Sequence, residues 1–259
     1  MDFKTVIYTK EEGAAIVQLN RPEVLNAMNE EVLEELEMVA DDVVRDEKVK
    51  VLVIKGNETA FAAGADIQDF VTYAPRDAHQ YLSRVQVSMG KLLGMGKPTI
   101  ASIAGYALGG GFEMALACDL RIAAHTAHFG LPEVNLGIIP GGGGTQRLTR
   151  LIGEGKAKEL IMLGEVFDAQ TAYELGLVNF LVPLSDLETE TRKLAKKLCR
   201  KPPLALRTAK ELIQLSYDVD IYNGLMMEKE KFAYLFSSTD QKEGMTAFLE
   251  GRKATFTGK

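Results

Sequence analysis

Short apolar runs alternate with longer helical patterns along this chain, and that alternation constrains its fold more than any other feature. Val51 to Ile54 is a short apolar run of the kind that forms a buried strand. Thr99 to Ile103, Leu120 to Ala123 and Val178 to Val182 read as further strands. Helical stretches fall between and after them: Asp77 to about Met95, Gly153 to Leu163, Asp168 to Leu175 and Asp186 to Lys201. Nearer the N-terminus, Thr5 to Tyr8 and Ala14 to Leu19 read as a hairpin turning at Glu11-Glu12-Gly13. Asn29 then stands as the N-cap of a helix running to about Arg45. Its apolar residues, Val32, Leu33, Leu36, Val39, Ala40 and Val43, recur at helical spacing. The pattern predicts an α/β architecture.

Pro202-Pro203 is the sharpest break in the chain. Beyond it, Leu204 to Tyr217, Ile221 to Ser237 and Thr239 to Glu250 all read as helices. The expected organisation is a core over residues 1–200 and a C-terminal helical region over 201–259. The second part is near the lower size limit for a core of its own, which makes it an appendage.

Composition excludes several classes of function. Hydrophobic residues make up 46% and charged residues 25% of the 259, so a sizeable core is available. A formal net charge of -6 gives no electrostatic footprint for nucleic acid or an anionic membrane. No apolar run is long enough to span a bilayer. Cys118 and Cys199 are too few for a disulfide framework and lack metal-ligand spacing. The N-terminal MDFKTVIYTKEEG resembles neither a signal nor a transit peptide. A reducing compartment is expected: the cytoplasm, or an organelle matrix after removal of a presequence.

Chemistry concentrates in Ala101 to Arg147, which holds the glycine clusters Gly109-Gly110-Gly111 and Gly141 to Gly144. The first cluster runs into FEMALA, a helix-forming run. Glycines at a helix start let its unpartnered amides approach a ligand closely, and the helix dipole favours negative charge there. An oxyanion site is the natural use. Glu113 falls in the first turn of that helix, and Glu133 must reach it through the fold. Two carboxylates beside oxyanion donors suggest proton abstraction or hydration next to a carbonyl. Each also has a structural reading: Glu113 as a helix N-terminal acid, Glu133 as a solvated loop acid after Pro132. Gly56 to Asp69 reads, from composition, as a surface loop, although the small residues of Ala60 to Ala65 would let backbone amides approach a bound group.

Other chemistries lack their motifs. There is no P-loop, no GxGxxG after a strand and no G-x-S-x-G. His79, His125 and His128 form no H-E-x-x-H, and no metal site is expected.

AFAAGADI (Ala60 to Ile67), GYALGGGFEMALACD (Gly105 to Asp119) and FGLPEVNLGIIPGGGGTQRL (Phe129 to Leu148) together resemble the enoyl-CoA hydratase (crotonase) family. LNRPEVLNAMN and KEGMTAFLEGRK extend the resemblance over essentially the whole chain. It implies a spiral of β-β-α turns closed by a C-terminal helical region, assembled as a homotrimer or a hexamer of paired trimers. The implied substrate is an acyl thioester of coenzyme A, with no separate cofactor because CoA is part of the substrate.

By motif position, the amides of Ala65 and Gly110 would hold the thioester oxygen. Glu113 would serve as base and Glu133 as acid in syn addition of water to a 2-enoyl thioester, with the Gly141 amide orienting that water. CoA is expected along Val24, Leu25, Ala63, Asp66 and Ile67, and Phe232 and Phe248 are expected to complete the acyl pocket, in this or a neighbouring subunit. Gln68 and Gly251 stand where relatives carry basic residues, leaving Arg252 or Lys253 as replacements toward the CoA phosphates. Within the family, hydration of branched or dicarboxylic enoyl thioesters, double-bond isomerisation and thioester hydrolysis are the alternatives. An AU-rich RNA-binding relative is disfavoured by the acidic balance.

Overall fold

A computed structural model describes residues 3–68 and 70–259; Asp69, at the end of the expected Gly56–Asp69 loop, lies outside the described residues. The hairpin forms as β1 (Val6–Glu11) and β2 (Ala14–Leu19), paired antiparallel from Val6↔Leu19 to Glu11↔Ala14. The Asn29 side chain accepts a hydrogen bond from the Val32 amide at 3.0 Å and starts α1 (Glu30–Arg45). Next come β3 (Val51–Lys55), β4 (Ala60–Ala63) and α2 (Pro75–Gly94). The pattern repeats as β5 (Thr99–Ile103), β6 (Tyr106–Leu108) and α3 (Gly110–Ala117). It repeats again as β7 (Leu120–Ala124), β8 (His128–Gly130) and α4 (Gly144–Ile152), with a 3-10 turn at Pro132–Leu136 between the last two.

Each of these three passes gives its first strand to one sheet and its second to another. The larger sheet has the order β1-β2-β3-β5-β7-β10, with β10 (Phe180–Val182) at its edge, and is parallel from β2 onward. The smaller has the order β4-β6-β8-β9; β9 (Phe167–Asp168) pairs antiparallel with β8 and the others are parallel. This is the expected spiral of β-β-α turns.

Both faces of the large sheet are covered, as parallel strands require. Leu52, Ile54, Ala101 and Ile103 join the main core with α1, α2 and α3. The alternate residues Val51, Val53 and Ile100 pack in a second cluster with Leu187 and Ala195 of α7 (Leu187–Cys199). The small sheet departs from the sequence reading. Ala60, Phe61 and Ala62 are buried strand residues within a segment that reads as surface loop. Buried small side chains leave no polar, turn-prone stretch there, and the strand is fixed by its non-local pairing to β6.

Helices α5 (Glu154–Leu163) and α6 (Ala169–Glu174) link the spiral to β10. The C-terminal region folds as α8 (Pro203–Leu215), α9 (Ile221–Leu235) and α10 (Thr239–Leu249). Lys210 ties α8 to the body, reaching Asp119 Oδ2 at 2.8 Å and the Lys97 carbonyl at 3.1 Å. In contrast, α9 buries no residue, and Ile221, Tyr222, Phe248 and Leu249 stand exposed. Among the described residues, no helix is long and apolar enough to cross a membrane.

Candidate active site

Three adjacent strands of the small sheet end side by side. Ala63 pairs with Leu108, and Leu108 with Gly130. The chain leaves them as Gly64-Ala65, Gly109-Gly110 and Leu131-Pro132-Glu133. Three passes distant in sequence therefore deliver the candidate site residues to one edge. A cavity of about 700 Å³ opens there. Ala63, Ala65, Ile67, Gly110, Glu113, Glu133 and Gly141 all line it.

Backbone geometry at this edge demands glycine. Gly109 holds φ +50, and a β-carbon on it would lie 3.1 Å from Glu133 Oε1. A β-carbon on Gly110 would meet Met28 Cε at 2.6 Å and lie 3.8 Å from the Ala65 amide nitrogen. The Ala65 loop is held from the other side. Met28 bridges Ala65 in parallel, its amide donates to the Gly64 carbonyl at 2.9 Å, and Asp66 N–H returns a bond to the Met28 carbonyl at 2.9 Å. The N–H groups of Ala65 and Gly110 make no hydrogen bond among the described residues. Both are small-residue amides at the cavity wall with donor capacity to spare.

The two carboxylates sit in different environments. Glu113, on the first turn of α3, is 3% exposed and accepts the Gly144 amide at Oε1 at 2.7 Å. β-Carbons on Gly142 and Gly144 would lie 2.7 and 3.0 Å from its oxygens, so the second glycine cluster is a close backbone cradle for this one side chain. Burial pushes the Glu113 pKa up, while the amides of Gly144, Gly142 and Gly143 and the charge of Arg147 oppose it. Glu133, on the 3-10 turn, has a buried Oε2 with no hydrogen-bond partner among the described residues. Burial, with a smaller contribution from the Glu113 charge, raises its pKa to about 7. One carboxylate is hydrogen-bonded by backbone amides; its neighbour is poised to keep a proton near neutrality.

The rest of the wall is apolar and aromatic. Phe70 packs edge-on to Tyr81 with ring centroids 5.0 Å apart, and the Tyr81 hydroxyl donates to the Met28 carbonyl at 3.2 Å. Leu82 and Val85 of α2 continue the wall, as do Ile138 and Ile139 just before the glycine loop. No motif in the sequence marks the α2 residues of this wall. The helical spacing of Tyr81, Val85, Met89 and Leu92 carries the signal for the buried face of α2, and Leu82 lies beside it.

A profile of the enoyl-CoA hydratase/isomerase family matches residues 9–259. The chain belongs to the enoyl-CoA hydratase/isomerase family. It is 42% identical to the crotonyl-CoA hydratase of Syntrophomonas wolfei, over all of both chains. It is 41% identical to the short-chain-enoyl-CoA hydratase of Clostridium acetobutylicum, covering 98% of this chain and 97% of that one. The crystal structure of an enoyl-CoA hydratase from Bacillus anthracis superposes with a TM-score of 0.95 at 39% identity, covering 99% of this chain and 100% of that one. The two-sheet spiral is thus the fold of the enoyl-CoA hydratases.

Several expected contacts of this family member fall outside the cavity. Val24, Leu25, Asp66, Phe232 and Phe248 do not line it within one chain. The Leu25 carbonyl accepts the Ala63 amide at 3.0 Å, which anchors β4. Asp66 is paired with Arg21 at 3.1 Å. Phe232 and Phe248 are 62% and 84% exposed on α9 and α10. Arg252 is committed to Glu243 and Glu250 at 2.7 and 2.6 Å, whereas Lys253 has no ion pair among the described residues.

Proposed function

We propose that this enzyme adds water across the 2,3 double bond of a 2-enoyl-CoA thioester to give a 3-hydroxyacyl-CoA. The single observation that carries the reading is the unequal pair of carboxylates at one cavity wall, beside two unused amides. The thioester oxygen would accept from Ala65 and Gly110 as enolate charge develops on it, with the Gly141 amide helping to orient the water. Glu113, ionised and steadied by glycine amides, would take a proton as the water oxygen attacks C3. Glu133, protonated, would deliver its proton to C2. The cycle leaves the proton on Glu113 and the charge on Glu133, so a proton must pass back before the next turnover.

The nature of the wall supports a plain hydrocarbon acyl group. Among the described residues, no lysine, arginine or histidine lines the cavity, which disfavours a dicarboxylic substrate. CoA would arrive as part of the substrate. The exposed apolar side chains of α9 and α10 support a homo-oligomer, a trimer or its paired hexamer, in which residues 201–259 cover a neighbour and Phe232 and Phe248 reach its acyl pocket.

The test follows loss of the conjugated thioester absorbance with crotonyl-CoA and longer enoyl thioesters. Glu113→Gln and Glu133→Gln should each lower kcat by about 10²–10⁴-fold with KM nearly unchanged. Near wild-type hydration by either folded variant would rule out the two-carboxylate mechanism. Failure of the unmodified enzyme on every chain length would rule out hydration itself.

A further inference from the structure

The loop that holds Glu113 is itself held by one arginine. Arg147 lies on the first turn of α4 and is partly buried. Its Nη1 donates to the Gly142 carbonyl at 2.5 Å, and its backbone amide donates to the Gly143 carbonyl at 2.8 Å. Gly143 has φ +114, and the guanidinium occupies the space a β-carbon there would take. Bare backbone at 143 and a folded-back arginine at 147 are therefore complementary. The Gly142–Gly144 segment is fixed from one side by Arg147 and presents its amides to Glu113 on the other.

Arg147 has no salt bridge among the described residues, whereas Arg150 of the same helix approaches the Asp218 carboxylate at 3.9 Å. Among the described residues, its attractive charge partner is Glu113. A partly buried guanidinium without an ion pair is costly unless something else uses its charge.

We propose that Arg147 is a positioning residue for hydration: it clamps the glycine loop against the Glu113 carboxylate and keeps a fixed positive charge beside it. This rests on reading the cavity as a hydratase site with Glu113 as base. The charge favours the ionised base against the burial that disfavours it. Other ionisable groups facing Glu113 do not supply this. From α2 there is Tyr81, whose hydroxyl burial keeps neutral, and from the 3-10 turn there is the acid Glu133. β4 carries no titratable side chain, and Tyr106 of β6 is turned to the surface against His128. On α4 itself Arg150 is exposed and acts on Arg147 by repulsion.

The experiment is the pH dependence of kcat/KM for crotonyl-CoA hydration by wild type, Arg147→Gln and Arg147→Lys, with thermal melts alongside. The acidic limb reports protonation of the base in the free enzyme. Removing the charge should move that limb up by about one pH unit, since an opposite charge at close range shifts a carboxylate by ~1–3 units. Arg147→Lys keeps a charge but loses the planar fork, so it should restore the limb while kcat stays reduced. KM should change less than kcat in both. If Arg147→Gln fails to fold, Arg147→Met, which keeps the packed stem, takes its place. An unmoved limb in the neutral variant, or equal shifts in the neutral and lysine variants, overturns the proposal while leaving hydration intact. No hydration by the wild type overturns the functional reading and this proposal with it.

Discussion

Glu133 illustrates how a buried carboxyl costs stability. A carboxyl whose folded pKa lies above its unfolded value is penalised when ionised. The ordinary value is 4.5 and the folded value about 7, so between these the unfolded chain has released a proton that the folded chain still holds. Stability therefore falls as pH rises through that window, and the full penalty is present above it. Glu133→Gln should be more stable than wild type at pH 8, by on the order of 1–3 kcal/mol, and no more stable at pH 4. Melting temperatures at the two pH values check this; an equal difference at both would mean that the carboxyl is not held out of water. Paired with the loss of turnover expected for the same variant, the result would be a stability–activity trade localised to one side chain.

At the level of elements, neighbouring glycines of α3 have separate duties. A β-carbon on Gly111 would overlap the Ala62 carbonyl of β4, which is backbone and cannot yield. On Gly110 it would strike only the end of the Met28 side chain. Gly111→Ala should lower stability by about 1–3 kcal/mol in denaturant melts. Gly110→Ala should fold nearly normally and lose hydration because the methyl group and the displaced Met28 crowd the oxyanion position. Reversal of that order would place the oxyanion donor elsewhere.

The same contrast explains what could be read in the sequence. Strands of the large sheet were legible because they are apolar runs: Thr99–Ile103 is read to the residue, and Val51 to Ile54 falls one short of its end. The small sheet was not. Its strands, such as Tyr106–Leu108 and His128–Gly130, are too short and mixed to carry a period, and only pairing across passes makes them strands. Helix α4 has no legible start in the sequence because it begins inside a glycine cluster. Glu113, Glu133, Ala65 and Gly110 were legible through the long motifs around them. Arg147 was not, because its partner is a carbonyl exposed by a turn that only the fold defines.

For the whole molecule, the C-terminal helices leave apolar side chains uncovered. Ile221 and Tyr222 at the start of α9, and Phe248 and Leu249 at the end of α10, are 70–84% exposed in a single chain. Sedimentation equilibrium should give three or six times the mass of one chain. Phe248→Glu should weaken that assembly and lower activity together if the residue reaches a neighbouring site. A monomer with full activity would refute both the assembly and the shared pocket.

The side-by-side strand ends that present Ala65, Gly110 and Glu133 act as a ruler. Adjacent strands stand ~4.8 Å apart, so the spacing of the Ala65 and Gly110 amides and of the Glu133 backbone is graduated by hydrogen-bonded strands, and the Glu133 carboxyl departs from it only by the reach of its own side chain. The return segments, α2 above all, supply Tyr81, Leu82 and Val85 to the wall without setting that spacing. If the hydratase reading holds, exchanging that one helix would retune much of the acyl wall while the spacing of the two amides stayed calibrated.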